Sequence, residues 1–259
     1  MAFEGFSESS FTHDDKTRTI WRRGTGPGVV VMHDMPGPTP SLERFAARVA
    51  DAGFTVVVPH LFGVPGKPLG VGYAVGELTK ACVSKEFRVL AAHEASPITE
   101  WLRSLCRDVH ASTGGKGVGA IGMCITGNFA LALMVDECLM APVLSQPSLP
   151  FGLGKDRRRG LHVSDEQLVR IKQRAKGGVK VVGMRFTGDP LCPGERFARL
   201  REELGDAFEA IEIDSSPGNA WKIKRTAHAV VTHDLVDVEG HPTRAALERV
   251  IAFFHERLS

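Results

Sequence analysis

Apolar and polar positions alternate along this chain with two periods. Short β-branched runs recur at "GVVVMHDM" (28–35), "FTVVVPHL" (54–61), "VGAIGMC" (118–124), "APVLSQPSL" (141–149), "VKVVGMRFTGD" (179–189) and "AFEAIEID" (207–214). These predict the strands of a mainly parallel sheet covered on both faces, with 28–35, apolar on both faces, as a central strand. Between them the period lengthens to that of a helix. Thr39 and Pro40 form a cap and first turn, Leu42, Phe45, Ala46 and Val49 share one face, and Gly53 closes the element. Ser96–Pro97 opens a second helix with Ile98, Trp101, Leu102 and Leu105 inward, and Ser164…Gln167 is a capping box for a third. Pro242 starts the last, whose stripe is Leu247, Val250, Ile251, Phe254 and Leu258. The first segment differs: "SSFTHDDKTRTIWRR" predicts two polar-facing strands around Asp14–Asp15–Lys16, an antiparallel hairpin at the sheet edge. Strands alternating with helices predict an α/β protein with helices on both faces of the sheet. No repeat or linker divides the chain, so residues 1–259 are expected to form one domain.

Composition narrows the function classes. The 259 residues are 43% apolar and 24% charged, with a formal net charge of +2, too small an excess to attract nucleic acid by itself. The start "MAFEGFSESSF" has neither a basic n-region nor a long apolar stretch, and no run of eighteen apolar residues occurs, so neither a secretory signal nor a membrane span is expected. Five cysteines, Cys82, Cys106, Cys124, Cys138 and Cys192, are odd in number and form no CxxC pair, which fits the cytoplasm better than a disulfide framework. Lys155, Arg157, Arg158 and Arg159 form a basic group read as a solvated face. "GTGPG" (24–28) precedes a strand instead of following one, so it is a turn and not a dinucleotide loop. There is no P-loop and no HExxH, and His33 and Asp34, as strand neighbours, point to opposite faces, so neither cofactor nor metal is expected.

The candidate chemistry sits in "GAIGMCITGNFALALMV". A strand ending at Gly122 and a helix beginning near Ile125 leave almost no loop for Cys124. Such a turn presents a nucleophile at the carboxyl end of a sheet, where free helix N–H groups favour a thiolate. The same residue taken alone fits a packed core thiol. A cysteine nucleophile needs a base, and the base needs an orienting acid. Asp189, just past a later strand in "TGDPLCP", occupies the acid's place, although G-D-P is also an ordinary turn. His228 and His233 follow the next strand. His228 precedes the apolar Ala229–Val230–Val231, whereas His233 beside Asp234 reads as a solvated position. His60 ends its strand and is either a pocket residue or a structural histidine; Cys192 is read as a packed thiol.

From about Gly28 to Leu258 the chain resembles the dienelactone hydrolase family. "GMCITG" resembles its G-x-C-x-G-G elbow, "TGDPLCP" the segment of its acid, "AHAVVT" the stretch of its base, and "VVVMHDMPG" its first long strand with a carboxylate, here Asp34. The resemblance implies an α/β-hydrolase fold and a Cys124–Asp189–His228 triad acting on a small ester or lactone. It also implies an oxyanion held by the N–H groups of Ile125 and Met35, and Asp34 helping to activate the thiol. Arg88, with Lys85 as alternative, and His60 are the expected substrate contacts, under a cap built from 62–95 and 150–175. Three positions depart from the pattern: Thr126 replaces a glycine and is expected to tighten and tilt the elbow, Asp34 replaces the usual Glu, and Thr232 stands where the family has an arginine. A broader thiol esterase or acyltransferase, a silent ligand-binding protein and a redox sensor working through Cys124 or Cys192 remain alternatives, and the oligomeric state is left open.

Overall fold

The computed structural model describes residues 3–70, 72, 73, 76, 97–148 and 158–259. Arg88, Lys85, Cys82, Lys155 and Arg157 lie outside them, as does half of the expected cap. Eight strands form one sheet: β1 Ser7–His13, β2 Lys16–Arg23, β3 Gly28–Met32, β4 Thr55–Pro59, β5 Val118–Met123, β6 Leu139–Ser145, β7 Val181–Phe186 and β8 Phe208–Ile213. Their order is β1-β2-β4-β3-β5-β6-β7-β8. β1 pairs antiparallel with β2, and β2 with β4; every later pairing is parallel. This is the α/β-hydrolase arrangement with the expected N-terminal edge hairpin, turned at Asp14, which has a φ of +50°.

Side chains alternate across β3 as a period of two requires. Val29 and Val31 join one core with α1 (Pro40–Asp51) and α6 (Pro242–Leu258), whereas Val30 and Met32 join the other with α2 (Pro97–Thr113) and α3 (Gly127–Leu133). Val29, Val30, Val31 and Met32 are all fully buried, each burial stabilising the fold by about 1.5–3 kcal/mol. α4 (Asp165–Lys176) and α5 (Gly194–Leu204) complete the second layer. The helix caps match their sequence signals: Leu42 N–H donates to Thr39 Oγ1, and Ser164 and Gln167 exchange both capping-box bonds. α2 is pinned to the hairpin, where Trp101 Nε1–H donates to the Lys16 carbonyl and its ring meets Phe11 edge-on.

Several expected boundaries move. The run 28–35 leaves the sheet after Met32, the strand expected at 141–149 begins earlier and spans Leu139–Ser145, and the run 179–189 is strand only from Val181 to Phe186. The described residues that follow these strands, 33–35, 146–148 and 187–189, form loops at the carboxyl end of the sheet. On α6 the buried stripe includes Phe253, while Ile251 is half-buried at its margin. Arg158 and Arg159 are not free cations: they pair with Glu195 and Glu202 of α5. No helix among the described residues is long and apolar enough to cross a membrane.

Candidate active site

β5 ends at Met123, one 3-10 turn covers Cys124–Thr126, and α3 begins at Gly127. Cys124 has a φ of +56°, a conformation that costs a non-glycine residue roughly 1–3 kcal/mol and persists only where its surroundings impose it. Two glycines impose it here. A Cβ on Gly122 would lie 2.0 Å from the Thr126 carbonyl oxygen, and one on Gly127 would lie 2.8 Å from Pro147 Cα. Ser148 N–H donates to the Cys124 carbonyl at 2.9 Å, tying the elbow to the loop after β6. Gly122→Ala is therefore expected to lower stability by at least about 3 kcal/mol. Gly70→Ala, in open space, should change it by less than about 0.5 kcal/mol; denaturant midpoints compare the two.

Asp189 follows β7, is 4% exposed, and accepts Leu191 N–H on Oδ1 at 2.9 Å. Its Oδ2 lies 2.6 Å from Nδ1 of His228, in the loop after β8. An ionised carboxylate only accepts, so the ring proton sits on Nδ1 and Nε2 is the nitrogen left for other chemistry. Nε2 is buried and meets no hydrogen-bonding nitrogen or oxygen among the described residues; the Cys124 sulfur is within interaction range of the ring. Burial disfavours the imidazolium, but the interaction with Cys124 and the hydrogen bond to Asp189 outweigh it, holding His228 well above the usual histidine range. The structure thus brings together Cys124, Asp189 and His228, three residues spread over 105 positions of chain.

Asp34, 8% exposed, lies just past β3. Burial raises its carboxyl to about 6, against the opposing field of His228 and His233 and with that of Asp234, so it belongs to the same electrostatic cluster. The Asp34 carbonyl accepts from His33 Nδ1 at 3.1 Å and from Gly37 N–H at 3.0 Å. Leu61 N–H donates to His33 Nε2 at 3.0 Å, which places the His33 proton on Nδ1. Burial lowers His33 to about 3, so it stays neutral and holds this turn. In a trans peptide N–H and C=O point apart; with the Asp34 carbonyl held inward, the Met35 N–H faces the other way and has no acceptor among the described residues. The Ile125 N–H, in the first turn of a helix, has no intrahelical acceptor either.

His60, expected as a substrate contact or a structural histidine, packs its ring near Trp21 and His33, and its Nε2 bonds the Gly63 carbonyl at 3.0 Å. Cys192 is fully buried, and that burial pushes its thiol far above the usual range. His233 is exposed as expected, but its neighbour Asp234 is not merely solvated. Asp234 Oδ2 accepts the N–H groups of His228 and Ala229 at 2.8 and 2.9 Å, folding the loop so that the imidazole is presented. An Asp receiving backbone N–H groups five and six positions upstream has no periodic signature. Only the closed loop reveals it.

Strand order, elbow and the acid and histidine loops together define an α/β hydrolase. The chain belongs to the dienelactone hydrolase family, whose sequence profile matches residues 18–258. A Saccharomyces cerevisiae protein named "Putative carboxymethylenebutenolidase" is 23% identical over 193 residues, covering 72% of this chain and 67% of its own. Among solved structures, a "Putative Dienelactone Hydrolase" from Klebsiella pneumoniae superposes with a TM-score of 0.63 at 17% identity, covering 97% of this chain and 98% of that one. A dienelactone hydrolase-like promiscuous phosphotriesterase from metagenomic libraries also gives 0.63, at 15% identity with 98% of each chain covered. These structural likenesses establish the fold, and the family match makes the chain a hydrolase-type enzyme of this superfamily.

Proposed function

We propose that the protein hydrolyses small carboxylic esters or lactones through Cys124, His228 and Asp189, by way of a thioester acyl-enzyme. The observation that carries this reading is the short hydrogen bond that His228 Nδ1 donates to Asp189, which leaves Nε2 without a hydrogen-bond partner among the described residues, in a ring that interacts with a half-exposed cysteine at a strained elbow. In this reading Nε2 holds the thiol proton and the Cys124 thiolate attacks the substrate carbonyl. The oxyanion receives the N–H groups of Ile125 and Met35, donors fixed before charge develops. The intermediate collapses as the imidazolium gives its proton to the leaving alkoxide, forming the thioester and the alcohol. Water, deprotonated by His228, then attacks the thioester; the carboxylic acid leaves and the thiol is restored. Asp34, ionising near pH 6 beside His228, adds negative charge that favours the imidazolium.

The reading takes residues 1–259 as one domain that works without cofactor or metal on a small molecule, with neither nucleic acid nor membrane as partner. The cytoplasm is proposed as its compartment, since the four cysteines among the described residues are free. Its test is intact-protein mass spectrometry after brief mixing with a panel of short esters and lactones. The expected result is one acyl increment, mapped to the peptide bearing Cys124. Turnover of an ester with the increment on another residue would overturn the assignment.

A further inference from the structure

The last rung of the β3–β5 ladder pairs Met32 with Gly122. Beyond it the two segments separate: the chain after β3 runs on to Asp34 and Met35, and the chain after β5 turns into Cys124. One side chain spans the gap. Thr126, fully buried, accepts the Met123 N–H on Oγ1 at 2.8 Å. The same oxygen lies 3.0 Å from the His33 carbonyl, 3.2 Å from that of Met32 and 2.9 Å from that of Met123. The hydroxyl therefore stands between the N–H of Met123, from which it accepts, and three carbonyls that compete for its single proton, those of Met32 and His33 on the neighbouring segment and that of Met123 itself. The expected tilting of the elbow by a β-branched residue takes a different form. The close backbone approach is met at Gly122, and the threonine side chain turns inward to β3.

What hangs from each side of this link gives it meaning. Cys124 is two residues before Thr126. On β3, His33 leads directly to the Asp34 carbonyl, which His33 Nδ1 and Gly37 N–H hold inward, and so to the outward Met35 N–H. We propose that Thr126 is a positioning residue: its hydroxyl sets the spacing between the Cys124 sulfur and the Met35 N–H, and so the fit of the tetrahedral intermediate. This rests on the triad reading above. A hydroxyl at this place does for geometry what a glycine with no side chain does not, since it couples the elbow to the oxyanion loop by hydrogen bonds as well as by packing. A misplacement of about 1 Å between attacking atom and oxyanion donor is enough to cost on the order of 10²-fold in rate.

The experiment compares wild type, Thr126→Val, Thr126→Ala and Thr126→Ser. For each, kcat and KM on a short aryl ester, the rate of Cys124 alkylation by iodoacetamide and the melting temperature are measured. Alkylation needs the thiolate but no oxyanion donor. Thr126→Val is expected to lose roughly 30- to 100-fold in kcat with KM and alkylation within about threefold of wild type, while Thr126→Ser stays within about threefold throughout. Thr126→Ala, which removes the hydroxyl without adding bulk, carries the same expectation if the valine variant does not fold. Wild-type kcat in the folded hydroxyl-free variants, equal impairment of the serine variant, or alkylation falling in step with kcat would each overturn the positioning role. Loss of the triad reading has a different signature, namely wild-type turnover that survives Cys124→Ala.

Discussion

Replacing Cys124 by alanine is expected to lower hydrolysis of an activated short-chain aryl ester by at least about 10³-fold, and His228→Ala to do the same. The two losses should not multiply, because sulfur and imidazole act as one unit: without the base the thiol is protonated, and without the thiol the base has nothing to activate. Asp189→Asn should fall between wild type and these variants or match them. An amide can turn its NH₂ toward Nδ1 and so favour the wrong tautomer, with the ring proton on the nitrogen that faces Cys124. Folding should survive in the cysteine variant. Cys124 is half-exposed and sits at a φ of +56°, so its side chain contributes little packing. Cys124→Gly, which relieves the left-handed conformation, should raise the melting temperature slightly while being just as inactive. Steady-state rates corrected for active folded protein, with melting curves alongside, make the comparison. Turnover like wild type in both alanine variants would remove the triad.

Asp34→Asn is expected to stabilise the protein at pH 8 and not at pH 4. The carboxyl is raised from 3.8 to about 6 in the folded chain, chiefly by burial. The folded state then binds the proton more tightly than the unfolded one, so stability declines as pH rises from about 4 to about 6 and stays lower above that. A shift of about two units corresponds to roughly 3 kcal/mol at most, which for a chain of this length is of the order of 5–10 °C in melting temperature. Asparagine removes the ionisation and with it the penalty. The same substitution should flatten the rise of activity with pH near 6, because in the proposed mechanism ionised Asp34 supports the imidazolium. A melting temperature for the asparagine variant no higher than wild type at pH 8 would show that this buried charge is not a cost to the fold.

The hydrophobic periods along the chain were enough for the sheet, its two helix layers and the edge hairpin, because both periods arise from local backbone geometry and every buried face must be apolar. Cys124, Asp189 and His228 could be picked out for a related reason: in a doubly wound sheet each strand's carboxyl end delivers its next loop to the same edge, so chain order predicts spatial convergence. Strand ends were less readable, since Met32 and Ser145 leave the ladder where partners diverge and no residue type marks that point. Residues that bond backbone could be noticed in the sequence, but not for what they do. Asp234 reads as a surface neighbour of His233 until the loop closes and brings the N–H groups of His228 and Ala229 to its carboxylate. Thr126 reads as a misplaced glycine until β3 is laid beside β5. Side-chain identity and spacing encode which groups can react and which faces are buried. Hydrogen bonds from a side chain to backbone far away in sequence depend on where two separate strands end, and that is set only when the whole sheet is assembled.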